Sequence, residues 1–152
     1  MRSLLRRAFV VRVWRLHRWI YRLTGGSIGG RLVGMPVLLL TTVGRRSGRR
    51  HETALTYLPE GRALVVVASN GGAPRHPDWL LNLRTRPEVE VRIGRQRLAV
   101  RAREAIGPER ERLWARVTRA YRGYAAYQAR TRRCIPVVIL MAGAPSQTPA
   151  PH

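Results

Sequence analysis

The strongest constraint on this chain is the grain of its apolar residues. From residue 36 onward they fall in short runs with the two-residue period of a strand, cut by glycine turns. Pro36–Val43 is largely apolar and predicts a strand buried on both faces. His51–Leu58 and Ala63–Ser69 predict two more, joined by the four-residue connection Pro59-Glu60-Gly61-Arg62. Glu88–Ile93 places Val89, Val91 and Ile93 on one face. Gln96–Arg103 places Leu98 and Val100 inward, after a tight turn at Gly94-Arg95. Ile135–Met141 predicts the last strand. Two helical stretches interrupt the series. One runs from about Pro77 to Arg84, with Pro77 suited to the first helical position. The other starts near Pro108, carries Glu109 and Glu111 in its first turn, and continues toward Arg130 with Gly123 bending or breaking it. Six short strands, mostly hairpin-connected, with two inserted helices predict an α+β fold on a small antiparallel barrel and not a βαβ sheet.

Residues 1 to about 23 have helical periodicity instead: Phe9, Val13, Leu16, Ile20 and Leu23 form one stripe, opposite Arg7, Arg12, Arg15, Arg18 and Arg22. Such a helix suits an anionic membrane surface, apolar face down, and equally suits packing on its own barrel. The glycine-rich segment Thr24–Gly30 acts as a joint. The expected organisation is an N-terminal helix over 1–24, a barrel domain over 25–142 and a disordered tail over 143–152, which is rich in Pro, Ala, Ser and Thr.

With 152 residues the chain is one domain's worth of polypeptide. Its 29 basic residues against 8 acidic ones give a formal charge of +21, and every basic residue is Arg. That uniformity points to genomic codon bias toward Arg as much as to selection for a ligand; the charge still favours acidic partners. A specific nucleic-acid partner is not expected, because Arg is spread over nearly every element and no helix-turn-helix, RNA-recognition or zinc-finger pattern occurs. The lone Cys134 excludes an internal disulfide framework, and His17, His51, His76 and His152 are too scattered to predict a metal site. The longest uncharged apolar run, Leu32–Val43, is too short to span a bilayer, so a cytoplasmic protein is expected, peripheral on the inner membrane face if the N-terminal helix binds lipid.

Three stretches carry candidate chemistry. In the first, a buried strand delivers the chain into Gly44-Arg45-Arg46-Ser47-Gly48-Arg49-Arg50, where glycines let backbone N–H groups approach an anion and guanidiniums grip phosphate oxygens. A solvated basic hairpin turn is the plainer reading. The second stretch, Ala68-Ser69-Asn70-Gly71-Gly72, leads into a helix with Trp79 and Asn82 three apart on one face. An aromatic plane beside an amide suits a flat heterocycle, while Trp79, Leu80 and Leu83 also suit plain core. The third places Tyr121, Tyr124 and Tyr127 at three-residue spacing, as a pocket wall or as half-buried packing. No Gly-x-Ser-x-Gly motif occurs, and carboxylates are too few for a paired-carboxylate hydrolase.

Taken in order, Leu-Leu-Thr-Thr-x-Gly-Arg-Arg-Ser-Gly, Ala-Ser-Asn-Gly-Gly-x-x-x-His-Pro-x-Trp-x-x-Asn-Leu and Tyr-x-x-Tyr-x-x-Tyr-Gln before Ile-Pro-Val-Val resemble the deazaflavin-dependent nitroreductases, also called quinone reductases dependent on reduced coenzyme F420. The resemblance covers about residues 25 to 142. It implies a split β-barrel of the flavin-binding type and coenzyme F420 as hydride donor to a quinone or nitro-type acceptor. It carries the phosphate loop onto Arg45, Arg46, Ser47, Gly48 and Arg49, after Leu39, Leu40 and Thr41. Val66, Val67, Ala68, Ser69 and Asn70, with Asp78, Trp79 and Asn82, would flank the ring. Tyr121, Tyr124 and Tyr127 would shape the acceptor pocket opposite Ser69, with Tyr124 orienting the acceptor. The chain departs from what family members often have at Arg50-His51, and from some of them at Asp78 and Arg122-Gly123. A hydride donor needs position and shelter more than acid–base groups, in keeping with the scarcity of carboxylates. A monomer or homodimer is expected. The alternative function is a non-catalytic barrel holding a flavin, a haem-derived ligand or a lipid.

Overall fold

A computed structural model describes the protein at residues 31–32 and 34–142. The amphipathic N-terminal helix and the disordered tail expected from the sequence lie outside the described residues. The described chain runs β1 (Arg31–Leu32), β2 (Met35–Val43), β3 (Arg50–Thr56), β4 (Leu58–Glu60), β5 (Ala63–Val67), a single 3-10 turn (Asn70–Gly72), α1 (Asp78–Thr85), β6 (Glu88–Ile93), β7 (Gln96–Glu104), α2 (Gly107–Ala120), α3 (Gly123–Ala129) and β8 (Val137–Ala142). All strand pairings are antiparallel, in the order β1-β2-β6-β7-β8-β5-β4, and β3 lies along the other edge of β2. The curled sheet is a split β-barrel, an α+β fold as the resemblance implies.

Side-chain alternation divides the core in two. Leu38 and Leu40 of β2, Val66 of β5, Val91 of β6 and Leu140 of β8 point into the barrel, whose end is closed by Trp79, Leu80 and Leu83 of α1. The intervening positions Val65, Val67, Val137 and Ile139 face outward, under Leu113 and Val117 of α2 and Tyr124 of α3. Strands β2, β5 and β8 are therefore buried on both faces, which is why they read as continuous apolar runs. Each wholly buried leucine, such as Leu38, Leu40 or Leu140, contributes about 1.5–3 kcal/mol relative to exposure.

Several expected boundaries move, each for a local reason. The turn between the second and third predicted strands is Gly61-Arg62 alone, and Pro59 and Glu60 belong to β4, which pairs with β5. The run His51–Leu58 is not one strand. It breaks at Tyr57, whose ring enters the barrel core and whose N–H bonds Pro36 O at 3.0 Å. Glu60 is held there by Arg112 and Arg116 of α2. Pro77 caps α1 from an extended conformation, φ −66° and ψ 149°, and is not its first residue. The long helix expected from Pro108 toward Arg130 is two helices, interrupted at Tyr121-Arg122 just before Gly123. β8 starts at Val137, since Pro136 has no N–H and the N–H of Ile135 goes to Gln128 Oε1 at 2.9 Å. With the short β1 and β4 the described strands number eight, where six were expected.

Candidate functional site

Residues 44–49 close the β2–β3 hairpin, Val43 pairing with Arg50 at its base. Gly44 N–H donates to Arg49 O and Gly48 N–H to Gly44 O, both at 2.8 Å, and Arg49 N–H reaches Ser47 Oγ at 3.2 Å. The loop is thus an internally bonded turn, from which Arg45 is drawn back toward the barrel. Asn82 Oδ1 accepts from Arg45 N–H at 3.1 Å and from Arg45 Nη1 at 3.0 Å, while Asn82 Nδ2 donates to Thr42 Oγ1 at 3.2 Å. Asn82 and Thr42 are both buried polar groups, so these bonds satisfy atoms that would be costly to leave unpaired. Arg45 Nη2 also meets Asp78 Oδ1 at 3.3 Å, and the carboxylate side chain is 88 % exposed, so solvent screens this pair heavily.

Between the loop and α1 lies a cleft of about 390 Å³. Arg45, Arg46 and Ser47 line it with His51, Asp78, Trp79 and Asn82. The structure thereby joins in one cavity two of the three stretches singled out in the sequence. Arg46 is exposed and makes no hydrogen bond to any described residue, which leaves its donors for an anion. Gly48 and Arg49 sit exposed at the tip of the loop. Leu39 and Thr41 line a neighbouring cleft of about 510 Å³ with Arg50, His51, Arg92 and Arg97, whereas the Leu40 side chain is sealed in the barrel.

Val66 and Ala68 lie in the barrel core with Trp79, and Val67 faces α2 and α3. Beyond them Ser69 is half-buried and Asn70 exposed, with Asn70 in the left-handed region at φ +46° and its Nδ2 donating to Arg75 O at 3.0 Å. The turn packs closely on α3: a Cβ at Gly72 would come within 2.6 Å of Tyr127 O. This contact brings the Ser69 turn beside the tyrosines.

The three tyrosines form one cluster, although Tyr121 caps α2 and only Tyr124 and Tyr127 belong to α3. Their rings meet edge to face, with centroids 5.1 Å apart for Tyr121–Tyr124, 6.2 Å for Tyr121–Tyr127 and 6.3 Å for Tyr124–Tyr127. Tyr121 and Tyr127 hydroxyls are 3.3 Å apart and half-buried, whereas Tyr124 is buried and its hydroxyl lies 2.6 Å from Thr56 Oγ1. Burial pushes the Tyr124 phenol above the usual tyrosine range. The Tyr121 hydrogen bond and burial push Tyr127 up to about 12. Both phenols are therefore protonated at neutral pH and available as hydrogen-bond donors. The tyrosines do not line the cleft of the Arg45 loop; Ala68 packs in one cluster with Trp79 of that cleft, and the turn after it meets Tyr127 at Gly72.

Sequence reasoning missed Thr42 and Thr56, the partners of Asn82 and Tyr124, and above all Arg133. From the α3–β8 connection its guanidinium reaches Ala68 O, Ser69 O, Ala73 O and His76 Nδ1. Burial and the Arg133 charge hold the His76 imidazole below the usual histidine range. Among 29 Arg-type positive charges, nothing in the local sequence marks Arg133 from its neighbour Arg132.

A family model described as F420H2-dependent quinone reductase matches residues 13–142. An F420H2-dependent quinone reductase of Mycobacterium tuberculosis is 44 % identical over 134 residues, covering 86 % of this chain and 90 % of the relative. A solved F420-H2 dependent reductase superposes with a TM-score of 0.63 at 42 % identity, over 69 % of this chain and 93 % of that one. A second solved chain, described as a domain-swapped dimer, has a TM-score of 0.66 at 37 % identity, over 84 % of this chain and 96 % of that one.

Proposed function

The chain belongs to the F420H2-dependent quinone reductase family, and from that premise we propose that it reduces a quinone, with a nitro-type compound as a second class of acceptor. When bound, reduced coenzyme F420 would supply a hydride and a proton, the two that convert a quinone to its hydroquinone. The observation that carries this reading is the cleft shared by Arg45, Arg46, Ser47, Trp79 and Asn82. It fits the coenzyme in kind: guanidiniums with spare donors at one end for a phosphate, and an indole wall for a flat ring.

In this reading the residues divide the work. Asn82 fixes Arg45 at the mouth of the cleft, and Arg46 adds an unneutralised charge. The 66–70 segment flanks the ring, and the tyrosines enclose the acceptor. Tyr124 orients the acceptor oxygen: when the Thr56 hydroxyl donates to the Tyr124 oxygen, the Tyr124 O–H remains to donate to the acceptor. With its pKa raised, this phenol holds its proton until the acceptor takes on charge.

Titrating the full chain with oxidised coenzyme F420 and, separately, with FMN tests the reading. Preference for F420 supports it, and equal or stronger FMN binding refutes it in favour of a general flavin-holding barrel. We also propose that the N-terminal segment brings the enzyme to anionic membrane from the cytoplasmic side. Among the described residues no helix is long and apolar enough to cross a membrane. Co-sedimentation with anionic vesicles, with and without residues 1–23, decides that point. Assembly as a monomer or a homodimer is settled by sedimentation.

A further inference from the structure

The carboxylates of this chain are unevenly placed. All eight lie between Glu52 and Glu111, and from Arg112 to His152 there are seven arginines and no acidic residue. Folding then sorts those arginines. Arg112 and Arg116 of α2 are drawn to Glu60. The Arg133 guanidinium turns inward, onto the carbonyls of Ala68, Ser69 and Ala73. Arg119, Arg122, Arg130 and Arg132 remain exposed, and none of the four has a carboxylate partner among the described residues.

These four belong to one corner of the molecule. Arg119 is in the last turn of α2, Arg122 and Arg130 flank α3, and Arg132 lies in the connection to β8. Helix α3 has seven residues and is only about 10 Å long. Its outward side carries Ala125, Ala126 and Ala129, all exposed and small enough to let a flat surface come close. Its buried side holds Tyr124. Half-buried Tyr121 and Tyr127 lie at the boundary, and the Arg130 guanidinium stacks over the Tyr127 ring, 5.7 Å from its centre.

Uncompensated guanidiniums so close together call for a polyanion. Between a nucleic acid and a lipid surface, the other side chains favour lipid. Guanidiniums meet headgroup phosphates while phenols straddle the apolar and wet layers. A duplex is read by polar side chains in its grooves, and the outward side of α3 offers alanines there.

We propose that the α2–α3 corner docks on anionic phospholipid headgroups through Arg119, Arg122, Arg130 and Arg132. The contact holds the tyrosine cluster against the bilayer, in which an apolar long-chain quinone is dissolved. The docking stands on the surface itself; its meaning for turnover rests on the quinone-reductase reading above. An anchor at the N-terminal segment tethers the protein, and this second contact, on the barrel domain, fixes which side faces the lipid.

Cys134, exposed two residues beyond Arg132, lets the wild-type chain carry the probe. A fluorophore on Cys134 is mixed with phosphatidylglycerol–phosphatidylcholine vesicles that bear a headgroup nitroxide quencher. A second chain, Cys134→Ser with Arg95→Cys, carries the fluorophore in the β6–β7 turn. That turn is at the far end of β7 from Glu104, which pairs with Val138, and β7 is nine residues or about 30 Å long. Quenching is expected at 134, with little at 95 and none on phosphatidylcholine alone. Equal quenching at both positions, or quenching at 95 only, overturns the proposal.

Arg119→Gln, Arg122→Gln and Arg132→Gln together should weaken vesicle binding ~100-fold. Arg62→Gln, Arg86→Gln and Arg95→Gln remove the same charge from scattered exposed positions and should cost much less. Equal losses overturn the proposal, since net charge alone would explain them. So does a corner variant that loses duplex-DNA binding while vesicle binding stays unchanged. With a long-chain quinone carried in the vesicles, the corner variant should lose at least ~10-fold in kcat/KM and keep its kcat for water-soluble menadione. If the variants do not fold, the wild-type probe at Cys134 still decides. A wild type that binds no anionic vesicle overturns the docking and leaves the quinone-reductase reading standing; a wild type that docks but does not reduce menadione with reduced F420 refutes that reading alone.

Discussion

Arg45 and Asn82, 37 positions apart, share one amide oxygen: Asn82 Oδ1 accepts both the backbone N–H and the guanidinium Nη1 of Arg45, at 3.1 and 3.0 Å. The loop and helix α1 are thereby fixed to each other through a buried side chain. A guanidinium in a mobile turn loses conformational freedom when it binds an anion, whereas Arg45 has already lost it on folding.

Asn82→Ala removes that anchor and strands the Thr42 hydroxyl and the Arg45 N–H. The expected cost is about 1–3 kcal/mol of stability, together with weaker F420 binding. Denaturant melts and a fluorescence titration measure the two effects, and a variant with native stability and native affinity contradicts the anchor.

Arg46 and Asp78 should act in opposite directions. Arg46→Ala is expected to weaken F420 by about tenfold, the loss of one charge-assisted contact of roughly 1.5 kcal/mol, without lowering Tm. Asp78→Asn frees Arg45 of its carboxylate neighbour, 3.3 Å away, and should tighten F420 binding, most visibly at low salt. Tightening that persists undiminished at high salt would require another explanation.

Tyr124→Phe and Thr56→Val cut the same 2.6 Å hydrogen bond from its two ends. Both should reduce kcat for quinone, by ~10- to 100-fold for the phenylalanine variant, and spare F420 affinity. A loss confined to F420 affinity would move Tyr124 from the acceptor to the coenzyme.

Gly123 gives Tyr121 its place. A Cβ there would collide with the far end of the Tyr121 side chain, which must shift out of the tyrosine cluster to make room. Gly123→Ala should therefore preserve the fold, break the Tyr121–Tyr127 hydroxyl contact and change KM among quinones of different bulk. Identical KM values across such a series would show that Tyr121 does not shape the acceptor site.

The phenols also set a limit at high pH. Tyr127 is pushed up to about 12 from an ordinary value of 10.0, so the unfolded chain loses this proton first as pH rises. The associated stability is fully present below pH 10 and is lost as pH climbs toward 12. Thermal melts should show a steeper alkaline decline in the wild type than in Tyr127→Phe. Coincident profiles would mean that Tyr127 titrates freely.

Much of this was legible in advance for physical reasons that are local. The period of Val89, Val91 and Ile93 and the turn at Gly94-Arg95 reappear as β6, β7 and their hairpin, because backbone sterics and a single buried face set them within a few residues. The breaks were harder to read. Tyr57 leaves the strand because its ring enters the barrel core, and that core is built by strands far away in sequence. The spacing of Tyr121, Tyr124 and Tyr127 suggests one helical face; the cluster exists, yet Tyr121 caps α2 while Tyr124 and Tyr127 belong to α3.

Charge was the least informative feature. Composition gives Arg45, Arg46, Arg132 and Arg133 the same letter, and what distinguishes them is which backbone oxygens fall within reach once the chain has closed. The sequence by itself determined the antiparallel strands, the basic hairpin loop and the family, all carried by order and spacing along the chain. Only the tertiary structure decided that Arg45 is anchored on Asn82, that Tyr124 is tied to Thr56, and that Arg133 holds the 68–76 loop. Those bonds join residues tens of positions apart, and a guanidinium's partners are chosen by the surroundings in which folding leaves it.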